Sequence, residues 1–479
     1  MILKRLQNRL VRWQYGRLER HLRTASPERL AAVSERRLLK AFHRAARLVP
    51  AYGRILHERG VDPNGVTTLE EFKKKVPILS KEEVFRANEL RDLCVGGNLE
   101  GISLFYSSSG STGVFSFGVE THADEAKAAL ATEFTLHSAA GVLDRKTLLI
   151  NCLPMGVKVR TRTLPVADTS VRPDVIWELI RKLKGDFEQF VLIGEHPFLK
   201  KTIEEGAEHG VPWKDLVVHV VTGGEYIAEN FRTYLASLLG TDFDAPEKGM
   251  IGVSFGLSEL AISMFQENPH TIRIRRQAHR DPAFRAALYG RETTICPNVM
   301  QYFPQQTFIE TVPGPQGRSE LVVSLLDPAL KIPLIRYNTR DVVETMSHAE
   351  LERILRETHQ ESLLPPWRLP VGIVWGKFRP LTTPGGRRVY SEQVKELLYS
   401  DLAAAEKVTG NFRLQAAGET VTALVQLRRG RALDDGLFAA LSARVKNYVK
   451  DADVRMRFLP YEQFPFGFDP DFERKNQYV

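Results

Sequence analysis

From Leu148 to Leu238 the chain alternates between two textures. Short apolar runs, "TLLINCL", "FVLIG" and "LVVHVV", are each followed by a stretch in which apolar residues recur every three or four positions. The runs have the length of a strand buried on both faces, and the stretches that of an amphipathic helix. Helices are predicted around Val175–Leu183, from Pro197, and where Phe231, Tyr234, Leu235 and Leu238 stand at i, i+3, i+4 and i+7. Strand, helix, strand, helix predicts a parallel or mixed sheet with helices on its faces. Ligands in such sheets sit where strands end and loops begin.

The pattern differs on either side of this core. The first hundred residues read as mostly helical: Thr68 with Glu71 and Ser80 with Glu83 fit capping boxes, and Ser26 followed by Pro27 fits a capped first turn. After the charged helical run "SHAELERILRETHQES", the prolines of "LLPPWRLP" interrupt regular structure. Beyond them come a helix at "SEQVKELLY", strands at "NFRLQAA" and "ETVTALVQLRR", a helix at 436–448 and the alternating strand "DVRMRF", a compact α+β unit. The expected fold is therefore α/β: a large N-terminal lobe with mixed or parallel sheets and flanking helices, plus a smaller, mobile α+β C-terminal lobe. The boundaries expected are a basic helical arm over 1–47, the large lobe over 48–375 and the small lobe over 376–479. Two lobes around a proline-bearing joint place the active site in the cleft between them.

Composition changes this picture at one end only. The net charge is +8, yet residues 1–47 hold thirteen Lys/Arg against Glu19, Glu28 and Glu35, so the remainder is slightly acidic. Within the arm Ile2, Leu6, Leu10 and Trp13 recur at helical spacing among Lys4, Arg5, Arg9 and Arg12. A cationic amphipathic helix of this kind suits an anionic membrane surface or an acidic partner; equally, it suits a solvated helix packed on its own protein. No aromatic and basic interleaving marks a nucleic-acid groove. No run approaches the ~18 apolar residues of a membrane span, and the N-terminus is studded with arginine where a signal peptide needs apolar residues, so a cytoplasmic protein is expected. Cys94, Cys152 and Cys296 lie far apart with no CxxC pair, which predicts buried free thiols, with no disulfide framework and no structural zinc.

Four segments carry candidate chemistry. "FYSSSGSTGVFSFG" sets hydroxyl residues and glycines between apolar flanks at the edge of a strand, a composition that suits a polyphosphate and also a plain surface turn. "VTGGEYIAENF" follows a strand, and Gly223 and Gly224 would let a flat ring lie against the backbone while Glu225 opens the next turn. "IGVSFGLSELA" ends in Ser258 and Glu259, an acidic group suited to a hard cation such as Mg²⁺. "PLIRYNTRDVVE" supplies Arg336, Arg340 and Asp341, and a carboxylate there can accept hydrogen bonds from the two hydroxyls of a ribose. Each segment has a dull alternative as a turn, a helix start or a surface ion pair. Phe255, Leu257, Tyr302 and Phe303 are candidates for an acid-binding pocket and also ordinary core residues.

In this order "SSSGSTG", "GGE", "FGLSE" and "RYNTRD" resemble the core motifs of adenylate-forming enzymes (the acyl/aryl-CoA synthetase superfamily), most closely the phenylacetate–CoA ligase branch and its capsule-locus relatives. The opening "LVPAYGRILHERGV…FKKKVPILSKEEV" is similar to that branch, so the likeness runs from about residue 45 to the C-terminus. The resemblance implies that a carboxylic acid is joined to AMP from ATP and the acyl group then passed to an acceptor, often coenzyme A. It implies a phosphate loop of Ser108, Ser109, Gly110, Ser111, Thr112 and Gly113, and an adenine-side motif of Gly223, Gly224 and Glu225. It further implies a segment from Gly256 through Ser258 to Glu259 whose glutamate meets Mg²⁺, a ribose contact at Asp341, and Lys475 in "FERKNQYV" as the lysine that reaches the α-phosphate. Catalytic roles fall on Lys475, Glu259 and Thr112.

Two departures qualify what the resemblance implies. Gly113 is followed by Val114 and Phe115 where relatives continue Gly-Lys-Pro, which removes a cation from the polyphosphate. At the joint the chain reads Gly376, Lys377, Phe378, Arg379, Pro380 where relatives read Gly-Arg-x-Asp-Asp, so the acidic pivot is missing. The expected activity is acid activation with transfer to a thiol, most simply coenzyme A. The alternatives are transfer to an amine, a protein or a carrier thiol, and a nucleotide-binding scaffold without turnover. The expected partners are a small carboxylic acid and, through residues 1–47, an acyl-acceptor protein or an anionic membrane surface; nucleic acid is not expected.

Overall fold

A computed structural model of the chain describes every residue except 1, 108–113, 155, 224–225, 258–261, 315–316, 466–471, 473–477 and 479, with 2–8 described in backbone only. Helices come first: α1 (Ile2–Thr24), α2 (Pro27–Leu48), α3 (Pro50–Glu58), α4 (Leu69–Lys75) and α5 (Leu90–Leu93). The caps stand where their residues place them. The Ser26 side chain accepts from Arg29 N at 3.2 Å and Pro27 opens α2, while Thr68 and Glu71 cap α4 reciprocally. Ser80 and Glu83 exchange the same pair of bonds, but the turn they cap is a short π-type turn over Glu82–Arg86.

The strands are β1 (Ile102–Ser107), β2 (Phe117–Thr121), β3 (Thr147–Asn151), β4 (Val166–Asp168), β5 (Gln189–Glu195), β6 (Val218–Gly223), β7 (Gly249–Leu257), β8 (Ile262–Gln266), β9 (Asn298–Tyr302), β10 (Thr307–Pro313), β11 (Ser319–Leu325), β12 (Tyr337–Met346) and β13 (Val371–Gly376). Helices α6 (His122–Ala140), α7 (Pro173–Leu183), α8 (His196–Glu208), α9 (Glu229–Leu239), α10 (Pro269–Arg280), α11 (Pro282–Tyr289) and α12 (His348–Glu357) run between them. Strands β3 to β13 form one sheet in the order β10-β11-β12-β13-β9-β8-β7-β6-β5-β3-β4. Its β4-β3-β5-β6-β7 half is parallel, each crossover carrying a helix or loop, and β7 onward is antiparallel. Long β7 belongs to both halves. Every residue of β3 is buried, which is why "TLLIN" shows no alternation: helices cover both faces.

The remaining elements are β14 (Pro380–Thr382), β15 (Arg388–Tyr390), α13 (Ser391–Leu398), α14 (Leu402–Lys407), β16 (Val408–Ala417), β17 (Thr420–Leu427), α15 (Asp435–Tyr448) and β18 (Asp453–Leu459). Here β16 and β17 are antiparallel, α15 crosses over, and β18 lies parallel to β17 with outward residues exposed and inward ones buried.

The seam between the two lobes is dry and polar. Glu396 of α13 is fully buried and accepts hydrogen bonds from Tyr226 OH at 2.9 Å and from the backbone N–H groups of Glu229 (2.7 Å) and Asn230 (3.0 Å) at the start of α9. A carboxylate on those unpaired donors also meets the positive end of the helix dipole. On the neighbouring helix Lys200, also buried, bonds Glu204 at 2.5 Å and the carbonyl of Val408 across the seam at 2.6 Å. Arg428 of the small lobe reaches Glu208 at 3.0 Å. One apolar core runs through both lobes.

The N-terminal segment divides. Leu38, Phe42 and Ala45 of α2 belong to the main core, whereas α1 packs Val11, Tyr15 and Leu22 into a separate cluster with Phe134, Trp367 and Leu369. The stripe of α1 named from spacing alone is not the packing stripe, since Leu10 and Trp13 are exposed. All three cysteines are free and buried, and burial pushes the thiols of Cys152 and Cys296 up to about 12. Among the described residues no helix is long and apolar enough to cross a membrane.

Candidate active site

The parallel strands deliver two of the motifs to one edge. Strands β6 and β7 are paired from Val218↔Gly249 to Thr222↔Val253; β6 ends at Gly223 with Glu195 of β5 opposite, whereas β7 runs on to Leu257 paired with β8. At Gly223 a side chain is sterically barred: a Cβ there would stand 2.9 Å from the carbonyl oxygen of Ser254 on β7. The glycine thus fixes how closely the two strands approach. Gly256 lies on β7, one residue past a register shift in the β7–β8 pairing. Gly224, Glu225, Ser258 and Glu259 lie outside the described residues.

The hydroxyl-rich segment lies in sequence between β1 and β2. Tyr106 pairs with Gly118 and Ser107 with Phe117 in the isolated two-stranded sheet β1–β2. The expectation that its apolar flanks border a core strand holds only in part. Phe105, Phe115 and Phe117 are exposed, because β1 and β2 join no larger sheet that would cover them. Val114 and Val119 are buried in the main core, and buried Glu120 pairs with Arg160 at 3.3 Å. The phosphate-loop residues Ser108, Ser109, Gly110, Ser111, Thr112 and Gly113 themselves lie outside the described residues.

Asp341 is buried at 3% exposure on β12, four strands along the sheet from β7. Its backbone N–H bonds the Thr339 hydroxyl at 3.1 Å, and its carboxylate receives Lys377 Nζ at 3.1 Å. The stretch before it is unusual. Arg336 and Arg340 both hold positive φ, 48° and 57°, a conformation that costs a non-glycine residue about 1–3 kcal/mol and is kept where surroundings over-determine it. Arg336 is so determined: it grips Glu310 through two nitrogens and donates to the carbonyls of Lys73 and Val76. Arg340 makes an exposed pair with Glu82. Of the three polar residues in "RYNTRD" singled out from the sequence, Arg336 is engaged with Glu310 and two backbone carbonyls, Arg340 with Glu82, and Asp341 with Lys377.

Lys377 was visible in the sequence only as a departure at the joint; its reach to Asp341 depends on β13 pairing with β12, with Gly376 opposite Val342. The joint itself is clamped. Phe378, φ 40°, is buried, stacks on Tyr390 at 4.1 Å, and shares the Arg318 guanidinium with Trp375 at 4.4 and 3.7 Å. The C-terminal tail is anchored on both sides of Lys475, which lies outside the described residues. Phe472 packs on Phe198 at the start of α8, and Tyr478 packs on Phe412 and under Lys395. Since α8 begins where β5 ends, Phe472 packs near the strand-end edge. The pocket aromatics read as core: Phe255 and Tyr302 both pack on Phe265, and Phe303 contacts Trp367 in the cluster under α1. No group of three metal-ligating side chains occurs among the described residues.

No protein-family description matches the chain. No curated protein matches it. Solved structures do match. Over 95% of this chain and 90% of the other, it superposes with TM-score 0.68 and 14% identity on 2-hydroxyisobutyryl-CoA ligase in the postadenylation state in complex with R3-HIB-AMP. The same ligase with 2-HIB-AMP and CoA in the thioesterification state gives 0.53 over 91% of this chain and 87% of that one, at 15% identity. The chain shares the fold of that ligase, a large mixed-sheet lobe with a smaller C-terminal one.

Proposed function

We propose that this chain is an ATP-dependent acid–thiol ligase: it activates an organic carboxylic acid, aryl or fatty, as an acyl-adenylate and then transfers the acyl group to a thiol, most simply coenzyme A. The observation that carries the reading is the close approach of β6 and β7 at Gly223, the first residue of the motif expected to hold adenine, where a Cβ would stand 2.9 Å from the carbonyl oxygen of Ser254. Backbone free of side chains there suits a flat heterocycle, and Asp341 beside Lys377 suits a ribose diol. The phenylacetate–CoA ligase-like subtype is part of this proposal and rests on the motif order.

A carboxylate attacks a polyphosphate poorly because like charges repel and both must shed water. The chain's part is to neutralise and orient. Ser108 to Gly113 would donate to the β- and γ-phosphates, Glu259 would hold Mg²⁺, which supplies charge neutralisation, and Lys475 would face the α-phosphate. The anchoring of Phe472 and Tyr478 on either side supports that role for the tail. Asp341 would orient the ribose. No proton needs to be removed in this half-reaction, and the closed polar seam supports protection of the adenylate from water.

A second reading keeps the adenylation and changes the acceptor to an amine, a protein or a carrier thiol. The clamp around Phe378, next to Arg379 and Pro380 where relatives have an acidic pair, favours it, because rotation of the small lobe must break the stack. Acid-dependent ATP–pyrophosphate exchange over a panel of aryl and fatty acids, with Lys475→Ala as control, tests the adenylation. Exchange that is absent with every acid overturns it and leaves the chain a nucleotide-binding scaffold, whereas exchange equal in the variant removes Lys475 from its role and leaves the adenylation standing. Adding coenzyme A and assaying the thioester separates the two acceptor readings.

A further inference from the structure

Helix α1 presents two faces of different chemistry. Val11, Tyr15 and Leu22 are buried against α6 and the Trp367 segment, which fixes the helix on the body of the protein. The opposite face carries Leu10 at 54% exposure and Trp13 at 56%, two of the most exposed large apolar side chains described. Around them stand exposed Arg9, Arg12, Arg17 and Arg20. The Arg17 guanidinium lies over the Trp13 ring at 5.8 Å. From Ile2 to Thr24 the helix holds seven Lys/Arg against Glu19 alone, whereas the chain beyond residue 47 is slightly acidic.

A solvated helix has no reason to place an indole and a leucine at the centre of an arginine-rich face, because water penalises both. An anionic bilayer accommodates them together: the indole enters the boundary between headgroups and acyl chains while guanidinium groups pair with phosphates. The asymmetry of charge also orients the molecule, drawing this face towards negative lipid and turning the acidic remainder away. We infer that the outer face of α1, centred on Leu10 and Trp13, docks the protein onto an anionic membrane surface. The helix lies on the membrane and does not cross it. This face is separate from the strand ends at Gly223, so the inference stands whether or not the chain adenylates.

The test is co-sedimentation of the full chain with vesicles of phosphatidylcholine alone and of phosphatidylcholine with phosphatidylserine at roughly 2:1. Binding is expected to the mixed vesicles only, falling as salt is raised. Arg9→Gln, Arg17→Gln and Arg20→Gln should each lower the partition about fivefold, the equivalent of ~1 kcal/mol per basic residue near the surface. The double variant Leu10→Gln/Trp13→Gln should lower it about tenfold or more with unchanged Tm, because both side chains are exposed. Of the five tryptophans Trp177, Trp213, Trp367 and Trp375 are buried, so vesicle binding should shift the emission of Trp13 to the blue, and Trp13→Phe should bind without the shift. Equal sedimentation with both vesicle types, or equal binding by the double variant, overturns the inference. So does a dimer in solution that the double variant dissolves, which would make the occupant a second copy of the chain.

Discussion

Lys377 reaches from the joint between the lobes to the buried carboxylate of Asp341, its Nζ 3.1 Å from Oδ2 and 2.9 Å from the carbonyl oxygen of Thr339. A residue at the lobe boundary thereby touches the group proposed to hold ribose, so nucleotide and lobe position share a contact. Hydrogen bonds to charged groups contribute about 1.5–3 kcal/mol, and half-exposed Lys377 the lower part of that range. Asp341→Ala should raise KM for ATP by roughly 10- to 100-fold, and Lys377→Ala by a few-fold. Steady-state pyrophosphate release gives both numbers; an unchanged KM in Asp341→Ala would remove that residue from the site.

Gly223→Ala tests the close approach of β6 and β7 without altering any charged group. The new methyl would need to displace Ser254 O, a backbone atom in a paired strand, at a cost of about 1–3 kcal/mol. A Tm lower by several degrees and weakened nucleotide binding are expected together, measured by calorimetry with and without ATP. Loss of stability with full nucleotide affinity would place the ligand elsewhere.

The seam should have a pH optimum. Burial alone would raise the Glu396 carboxyl, but the His279 side chain and the N–H groups at the start of α9 reverse this and leave it lowered. For His279 burial lowers and Glu396 more than compensates, so the net shift is upward. The Glu396 contribution is present above its unfolded value of about 4.3 and is lost as pH falls through the lowered folded value. The His279 contribution is complete below about 6.5 and fades as pH rises through the raised folded value. Thermal unfolding from mildly acid to mildly alkaline pH should therefore show a plateau between these limits. His279→Ala should remove most of the alkaline slope; an identical slope in the variant would exclude the pair. Glu396→Ala, which orphans buried donors, should cost about 3–5 kcal/mol.

Phe378→Gly releases the joint. Glycine accepts the φ of 40° without strain, a gain of about 1 kcal/mol, but loss of a buried phenylalanine costs about 3–5 kcal/mol. Net destabilisation of about 2–4 kcal/mol is expected, with faster amide exchange over 376–390. If coenzyme A is the acceptor and lobe rotation limits turnover, thioester formation should become faster relative to adenylation; an unchanged ratio would show that the clamp does not gate the second step.

Local chemistry made much of this protein legible before any coordinates. Unbroken apolar runs of five to seven residues are strands covered on both faces, and β3, β5 and β6 lie at those positions because a parallel sheet buries its residues irrespective of parity. Capping pairs such as Thr68 and Glu71 act within one turn, so sequence spacing suffices to find them. Relations between distant segments were not legible. Nothing near Lys377 points to Asp341, nothing near Glu396 points to the start of α9, and periodicity in α1 alone marked Leu10 and Trp13 without showing that Val11, Tyr15 and Leu22 take the buried side. The order of strands, the docking of the small lobe and the choice of face are set by long-range burial, which sums over many residues and leaves no mark in any single stretch of chain.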